Sequence, residues 1–252
     1  MSCKPSSIVT DYIEIPREIL ESRKDLKLST DIIFVNKLLK FTMIEYLSSK
    51  NDIALVTSIN KIVSYYKSHV LHVGTMFVDT EFQFLEGKVV STTLNTTGAR
   101  DHVPEVERQI QFIKERMQAH HANLPFPSFT SRMSIELDKN VVMLLNDFPP
   151  KRELSTAYSA HTIMKGKDLD LKRSFKLHFG AYAQVHEDRN VMNKLEESTQ
   201  GAIYLGATGN LQRTDNLFLL CTVRKINRGK FTEVPTPMIA MKRLTEMALA
   251  KK

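Results

Sequence analysis

Three carboxylates stand where their chemistry would combine. Asp31 opens the apolar, β-prone run Asp31-Ile32-Ile33-Phe34-Val35, Asp79 closes Thr75-Met76-Phe77-Val78, and Glu107 lies in Pro104-Glu105-Val106-Glu107-Arg108 at the opening of a helix. An acid at a strand end and another on a nearby helix can share a cation, and if the two strands lie side by side all three acids converge. Such a cluster suits a pair of divalent ions bridged by carboxylates, which clamps both the attacking and the leaving oxygen of a phosphoryl transfer. Singly, each acid has a plainer explanation. An aspartate beside a strand serves as a turn or cap residue, and a glutamate in a first helical turn favours the positive end of the helix dipole.

The elements that must position these acids follow from hydrophobic period. Residues 1–28 read as an N-terminal arm, with a short helix around Pro16-Arg17-Glu18-Ile19-Leu20-Glu21. Asp31 to Val35 and Phe41 to Leu47 read as strands. Asn51-Asp52 caps a helix whose Leu55, Val56, Ile59, Ile62, Val63 and Tyr66 recur at the 3.6-residue period. Val70 to Asp79 and Val89 to Leu94 are further strands. A helix from about Pro104 to Ala119 carries the stripe Val106, Ile110, Ile113 and Met117, and another runs from Met133 to Phe148, where Pro149-Pro150 stops it. Strands and helices alternate over this stretch, which predicts an α/β or α+β layer structure. Beyond the Pro-Pro break, Phe175 to His186, Gly201 to Gly206, Leu217 to Val223 and Lys230 to Val234 read as short strands with turn signals between them, so a small β-barrel-like module is expected, closed by a helix from about Thr236. The expected boundaries are an arm over 1–28, a core over 29–150 and a β module over 151–252.

Composition limits the partners. The 252 residues carry 42% hydrophobic side chains, enough for a buried core. Lys and Arg number 35 against 28 Asp and Glu, a net charge of +7, which favours an anionic partner such as nucleic acid. Only Cys3 and Cys221 occur, so neither a disulfide framework nor a cysteine-rich zinc site is expected. No apolar run reaches bilayer length and Met1 to Thr10 lack a signal-peptide core, so the expectation is an intracellular protein, nuclear or cytoplasmic, with no membrane partner. His102, His120 and His121 have no cysteine at ligand spacing, and His120-His121 reads as a solvated helix end.

Several blocks, in this order, resemble the copia-type retrotransposon integrases. They are Asp31 on a strand, Asp79-Thr80-Glu81-Phe82 after a later strand, Glu105-Val106-Glu107-Arg108 opening a helix, Leu177 to His186 with its Phe179-Gly180-Ala181-Tyr182 centre, and Gly201-Ala202-Ile203-Tyr204-Leu205-Gly206. The resemblance covers roughly residues 29 to 235 and rests on the order of the blocks. It implies a ribonuclease-H-like mixed sheet with flanking helices, Mg²⁺ or Mn²⁺ in a two-metal site, possible homo-oligomers, and DNA as partner, both element ends and target. Carried over, Asp31 and Asp79 are the metal-bridging aspartates and Glu107 the third carboxylate.

Helical geometry bears on the last choice. Glu107 falls on the flank of the apolar stripe, whereas Glu115 projects nearly opposite it. Gln111 and Lys114 share the flank with Glu107, and with Arg108 they form the candidate nucleic-acid contacts, lysine being suited to a sequence-neutral phosphate contact. Two features depart from the family. Between Asp79 and Glu107 lie 27 residues, a short gap that Glu115 would lengthen. A ribonuclease-H-like core also needs three antiparallel strands before its first helix, and between Asp31 and Asp52 there is room for two. The chain therefore has two readings, an integrase-type polynucleotidyl transferase or a catalytically inactive, retroelement-derived DNA-binding module.

Overall fold

The computed structural model describes residues 6–13, 30–36, 39–47, 51–78, 80–89, 92–96, 104–126, 128, 130–148, 158–186, 199–210, 212 and 214–250. The chain separates into two compact units. One comprises Met1–Arg17, Leu28–Met117 and Val141–Leu169, the other Glu18–Lys27, Gln118–Asn140 and Asp170–Lys252.

The first unit is built on a mixed five-stranded sheet in the order β3-β2-β1-β4-β5, with β1 at Ser6–Ile13, β2 at Thr30–Asn36, β3 at Thr42–Leu47, β4 at Val73–Val78 and β5 at Thr93–Thr96. β1, β2 and β3 pair antiparallel, while β4 runs parallel to both β1 and β5. Among the described residues three antiparallel strands thus precede the first helix, α1 at Asp52–Ser68, and the architecture is ribonuclease-H-like. The strand found wanting between Asp31 and Asp52 comes from upstream: Ser6–Ile13, within the stretch read as an arm, lies between β2 and β4. Its Ile8, Val9, Thr10, Tyr12 and Ile13 are residue types that fit a pleated surface. The short helix expected around Pro16 to Glu21 lies outside the described residues.

Burial explains why β2 reads as an unbroken apolar run. Ile32, Ile33, Phe34 and Val35 are all buried, so both faces of this strand are covered. Ile32 and Phe34 join a core with Leu55, Ile59, Ile62 and Tyr66 of α1 and Met76 and Val78 of β4. Asn51 caps α1 as its type predicts, its side chain accepting from the Ala54 amide at 2.8 Å. At the other end the Leu71 amide donates to the Tyr66 carbonyl and the Val70 amide to the Lys67 carbonyl, a Schellman closure. The left-handed position of that motif usually holds glycine, yet here it is Val70, with φ 60. A β-branched residue there costs about 1–2 kcal/mol of backbone strain.

Two helices carry the predicted stripes. In α2, Pro104–Ala122, Val106, Ile110 and Ile113 are buried. In α3, Ser131–Asp147, the last turns are fixed to the sheet by polar contacts rather than by apolar packing alone. The Asn146 carboxamide donates to the Thr42 carbonyl at 2.7 Å and accepts from the Thr42 amide at 2.8 Å, while Gln109 of α2 donates to the Thr42 hydroxyl at 3.0 Å. These bonds satisfy the backbone at the start of an edge strand, groups that would otherwise be buried unpaired. A short helix, α4 at Ala160–Lys165, adds Ala160 and Met164 to the first core.

The second unit holds an antiparallel sheet in the order β10-β6-β7-β8-β9, formed by β6 at Tyr182–His186, β7 at Thr199–Ala207, β8 at Asp215–Leu219, β9 at Lys225–Arg228 and β10 at Phe231–Glu233. A one-turn helix, α5 at Leu171–Ser174, precedes it and α6 at Met238–Leu249 follows it. The expected barrel does not close, since among the described residues no ladder joins β9 to β10. The two edges are nonetheless joined through Gly229 and Lys230 alone, so the sheet must curl until its edges lie within ~11 Å of each other, the reach of three Cα steps. Gly206 shows why glycine punctuates β7. It sits at a register shift with φ 113, and a Cβ there would meet the Asn140 side-chain nitrogen at 2.4 Å. Among the described residues no helix is long and apolar enough to cross a membrane.

Candidate metal centre at one end of the first sheet

Strand register decides which acids can approach one another. β1 and β4 run the same way, with Val9 opposite Phe77, so Thr10 and Asp11 are the next positions on β1 as β4 ends at Val78. Neighbouring strands lie ~4.8 Å apart, so Asp11 stands one strand from β4, near the end at which β4 stops at Val78. The next residue in sequence, Asp79, lies outside the described residues. Asp31 stands on the second strand of the sheet, paired with Ile13 of β1 and Tyr46 of β3. It is at the same end of the sheet, but β1 separates it from β4, a gap of about 10 Å between strand axes.

Sequence reasoning missed Asp11 because its strand was taken for an arm. The signal was present in the β-branched and aromatic residues on either side of it, Ile8-Val9-Thr10 and Tyr12-Ile13. What was lacking was a partner: a strand of this kind is recognised by what it pairs with, and β2 and β4 are distant in sequence.

The third carboxylate lies on α2. Glu107 occupies the first turn and is exposed beside the buried Val106 and Ile110, on the flank of the stripe as the period requires. Gln111 is exposed and donates to Glu115 at 3.0 Å, an i,i+4 bond that occupies Glu115 on the helix surface. Arg108 is exposed, with its guanidinium over the Phe112 ring at 5.9 Å. Lys114 is half-buried, and that burial lowers its ammonium below the ordinary lysine range. The described geometry thus puts Asp11, Asp31 and the end of β4 at one end of the first sheet, and Glu107, Gln111 and Lys114 along one helix flank.

No family model matches the sequence, and no curated protein does. Among the solved structures to which the chain is similar are two integrase cores. The catalytic core domain of BIV integrase shares 11% identity at a TM-score of 0.42, covering 63% of this chain and 92% of that one. The HTLV-2 integrase catalytic core domain, in complex with magnesium and in dimeric form, shares 10% identity at a TM-score of 0.43, covering 63% of this chain and 94% of its own. Overlap of this size leaves strand order and register as the basis for the fold.

A second constellation lies elsewhere in the first unit. His161 of α4 bonds through Nδ1 to the buried Asp147 carboxylate. Lys165 is held below the ordinary lysine range by burial, an effect that the Asp147 charge partly offsets. This cluster ties α4 to the end of α3.

Proposed function

We propose that this chain is an integrase-type polynucleotidyl transferase of a copia-like retrotransposon, acting on DNA through a two-metal site made by Asp79, Glu107 and an aspartate of the first sheet. The observation that carries the reading is the register of β1 against β4, which favours Asp11 over Asp31 as the partner of Asp79. Asp11 stands on the strand next to β4, the strand that precedes Asp79 in sequence, whereas Asp31 stands one strand further away.

The donor set fits the group it would hold. Carboxylate oxygens are hard ligands suited to Mg²⁺ or Mn²⁺, and a helix-borne glutamate adds a third such ligand. When bound, the ions supply Lewis acidity and a water or hydroxyl of lowered pKa. The chain's own residues bind and orient the DNA. Lys114, partly desolvated on the same flank as Glu107, contacts a backbone phosphate, and Gln111 and Arg108 add polar contacts on the neighbouring turns. The net charge of +7 supports association with a polyanion.

The test uses the full chain with Mn²⁺ and a labelled duplex oligonucleotide, scoring strand-transfer products. Asp79→Asn and Asp11→Asn should abolish product while Asp31→Asn retains it. Loss with Asp31→Asn and retention with Asp11→Asn would return the first aspartate's role to Asp31. Product that survives Asp79→Asn refutes the site. Salt-sensitive DNA binding with no product under any condition would leave the catalytically inactive binding module as the correct reading.

A further inference from the structure

At the far end of β4 from the carboxylates, the first unit carries a groove of about 660 Å³. Its volume lies within the ~300–1,000 Å³ typical of ligand clefts. One wall is a stripe of α1, Asn60, Val63, Ser64 and Lys67, which recur at i, i+3, i+4 and i+7 and so share one helix flank. The turn that leaves α1 forms the other wall, with Val70, Leu71 and His72 leading into Val73 at the start of β4.

Two independent features mark the groove as a recognition surface. The first is Val70, whose left-handed backbone position would suit glycine, yet whose side chain is 93% exposed and gains no packing in return. Strain of this sort persists where the side chain has a use, and here that use is to present an isopropyl group at the groove's rim. The second is charge. Among the described lining residues Lys67 is the one that is permanently charged, and none is an acid. A lining that is half aliphatic and half polar, with a cation and no acid among its described residues, complements an extended segment that alternates apolar and acidic side chains.

We propose that the groove between α1 and its exit turn binds an acidic, aliphatic peptide segment of a partner protein, at the opposite pole of the first sheet from the carboxylate end. β4 separates the two by five residue rises, roughly 16 Å, so a tethered partner would leave the carboxylate end open. The inference stands apart from the polynucleotidyl-transfer reading and can fail without it.

The test measures fluorescence anisotropy of the full chain against three labelled probes: a peptide of alternating leucine and glutamate, its counterpart with lysine for glutamate, and a duplex oligonucleotide. The acidic peptide should bind and the basic one should not. Lys67→Glu should weaken the acidic peptide by about tenfold. Val70→Gly should weaken it by about fivefold to tenfold, the worth of one lost valine contact, while raising the melting temperature. That opposite movement of affinity and stability is what a purely structural valine would not produce. Equal binding of the two peptides, no binding of either, affinity unmoved by Lys67→Glu, or a Lys67→Glu defect confined to the oligonucleotide would each overturn the proposal, the last in favour of a nucleic-acid surface.

Discussion

The two sheets treat their acids in opposite ways. In the second unit Asp215 is buried on β8 and answered from two sides. Lys176 donates to one carboxylate oxygen at 2.5 Å and the Tyr204 hydroxyl to the other at 3.0 Å, while the Lys176 ammonium also lies 5.4 Å from the centre of the Phe231 ring. Burial, with the Asp215 carboxylate beside it, holds the Tyr204 phenol far above the ordinary tyrosine range. In the first unit Asp11 and Asp31 occupy neighbouring strands at the end where β4 gives way to Asp79. An acid enclosed by its own partners stabilises a fold, whereas on the function proposed above the acids at this end of the first sheet serve chemistry. Removing the first should cost stability and removing the second should cost activity.

The sharpest break of that contrast is Asp79→Asn or Asp11→Asn. On the function proposed above, either change should reduce strand transfer about a thousandfold, the rate equivalent of the several kcal/mol that a bound metal contributes to the transition state, with an unchanged urea midpoint. Next comes Asp215→Ala, which removes the buried carboxylate that Lys176 and the Tyr204 hydroxyl both bond and leaves that buried hydroxyl without its acceptor; it should cost about 2 kcal/mol in urea unfolding followed on the second unit. A first-sheet variant that unfolds, or an Asp215 variant of full stability, would erase the distinction.

Smaller effects test how each unit is held. Asn146→Ala removes both partners of the Thr42 backbone and should cost about 2 kcal/mol, with faster hydrogen exchange at the Thr42 amide as the local readout. Lys114→Ala should leave stability almost unchanged and lower the slope of log affinity against log salt for duplex DNA by about 0.9, the signature of one phosphate contact. The smallest effect is Val70→Gly, where relief of left-handed strain exceeds the extra unfolded-chain entropy of glycine and stability should rise by about 0.5 kcal/mol.

Much of the first unit was legible because its signals are local. The Asn51 cap, the period of Leu55, Ile59 and Ile62, the stripe of Val106, Ile110 and Ile113 and the apolar run after Asp31 each depend on residues within one or two turns of each other. Strand limits in the β module were less legible. Phe175 to Ala181 reads as strand yet Tyr182 begins it, and Lys225–Arg228 went unread because its pattern of exposed and half-buried positions carries little apolar contrast. Asp215 gave no hint of burial either, since an aspartate next to Asn216 looks like a turn until Lys176, well upstream, is brought against it.

The amino-acid sequence alone determined which segments are helical, which acids are available and that the surface is basic, because propensity, period and charge are properties of short stretches. The pairing of strands was decided only in three dimensions. A strand's identity in a sheet comes from hydrogen bonds to segments far along the chain, so Ser6–Ile13 became the central strand, and Asp11 the neighbour of the end of β4, only when β2 and β4 closed on it from either side.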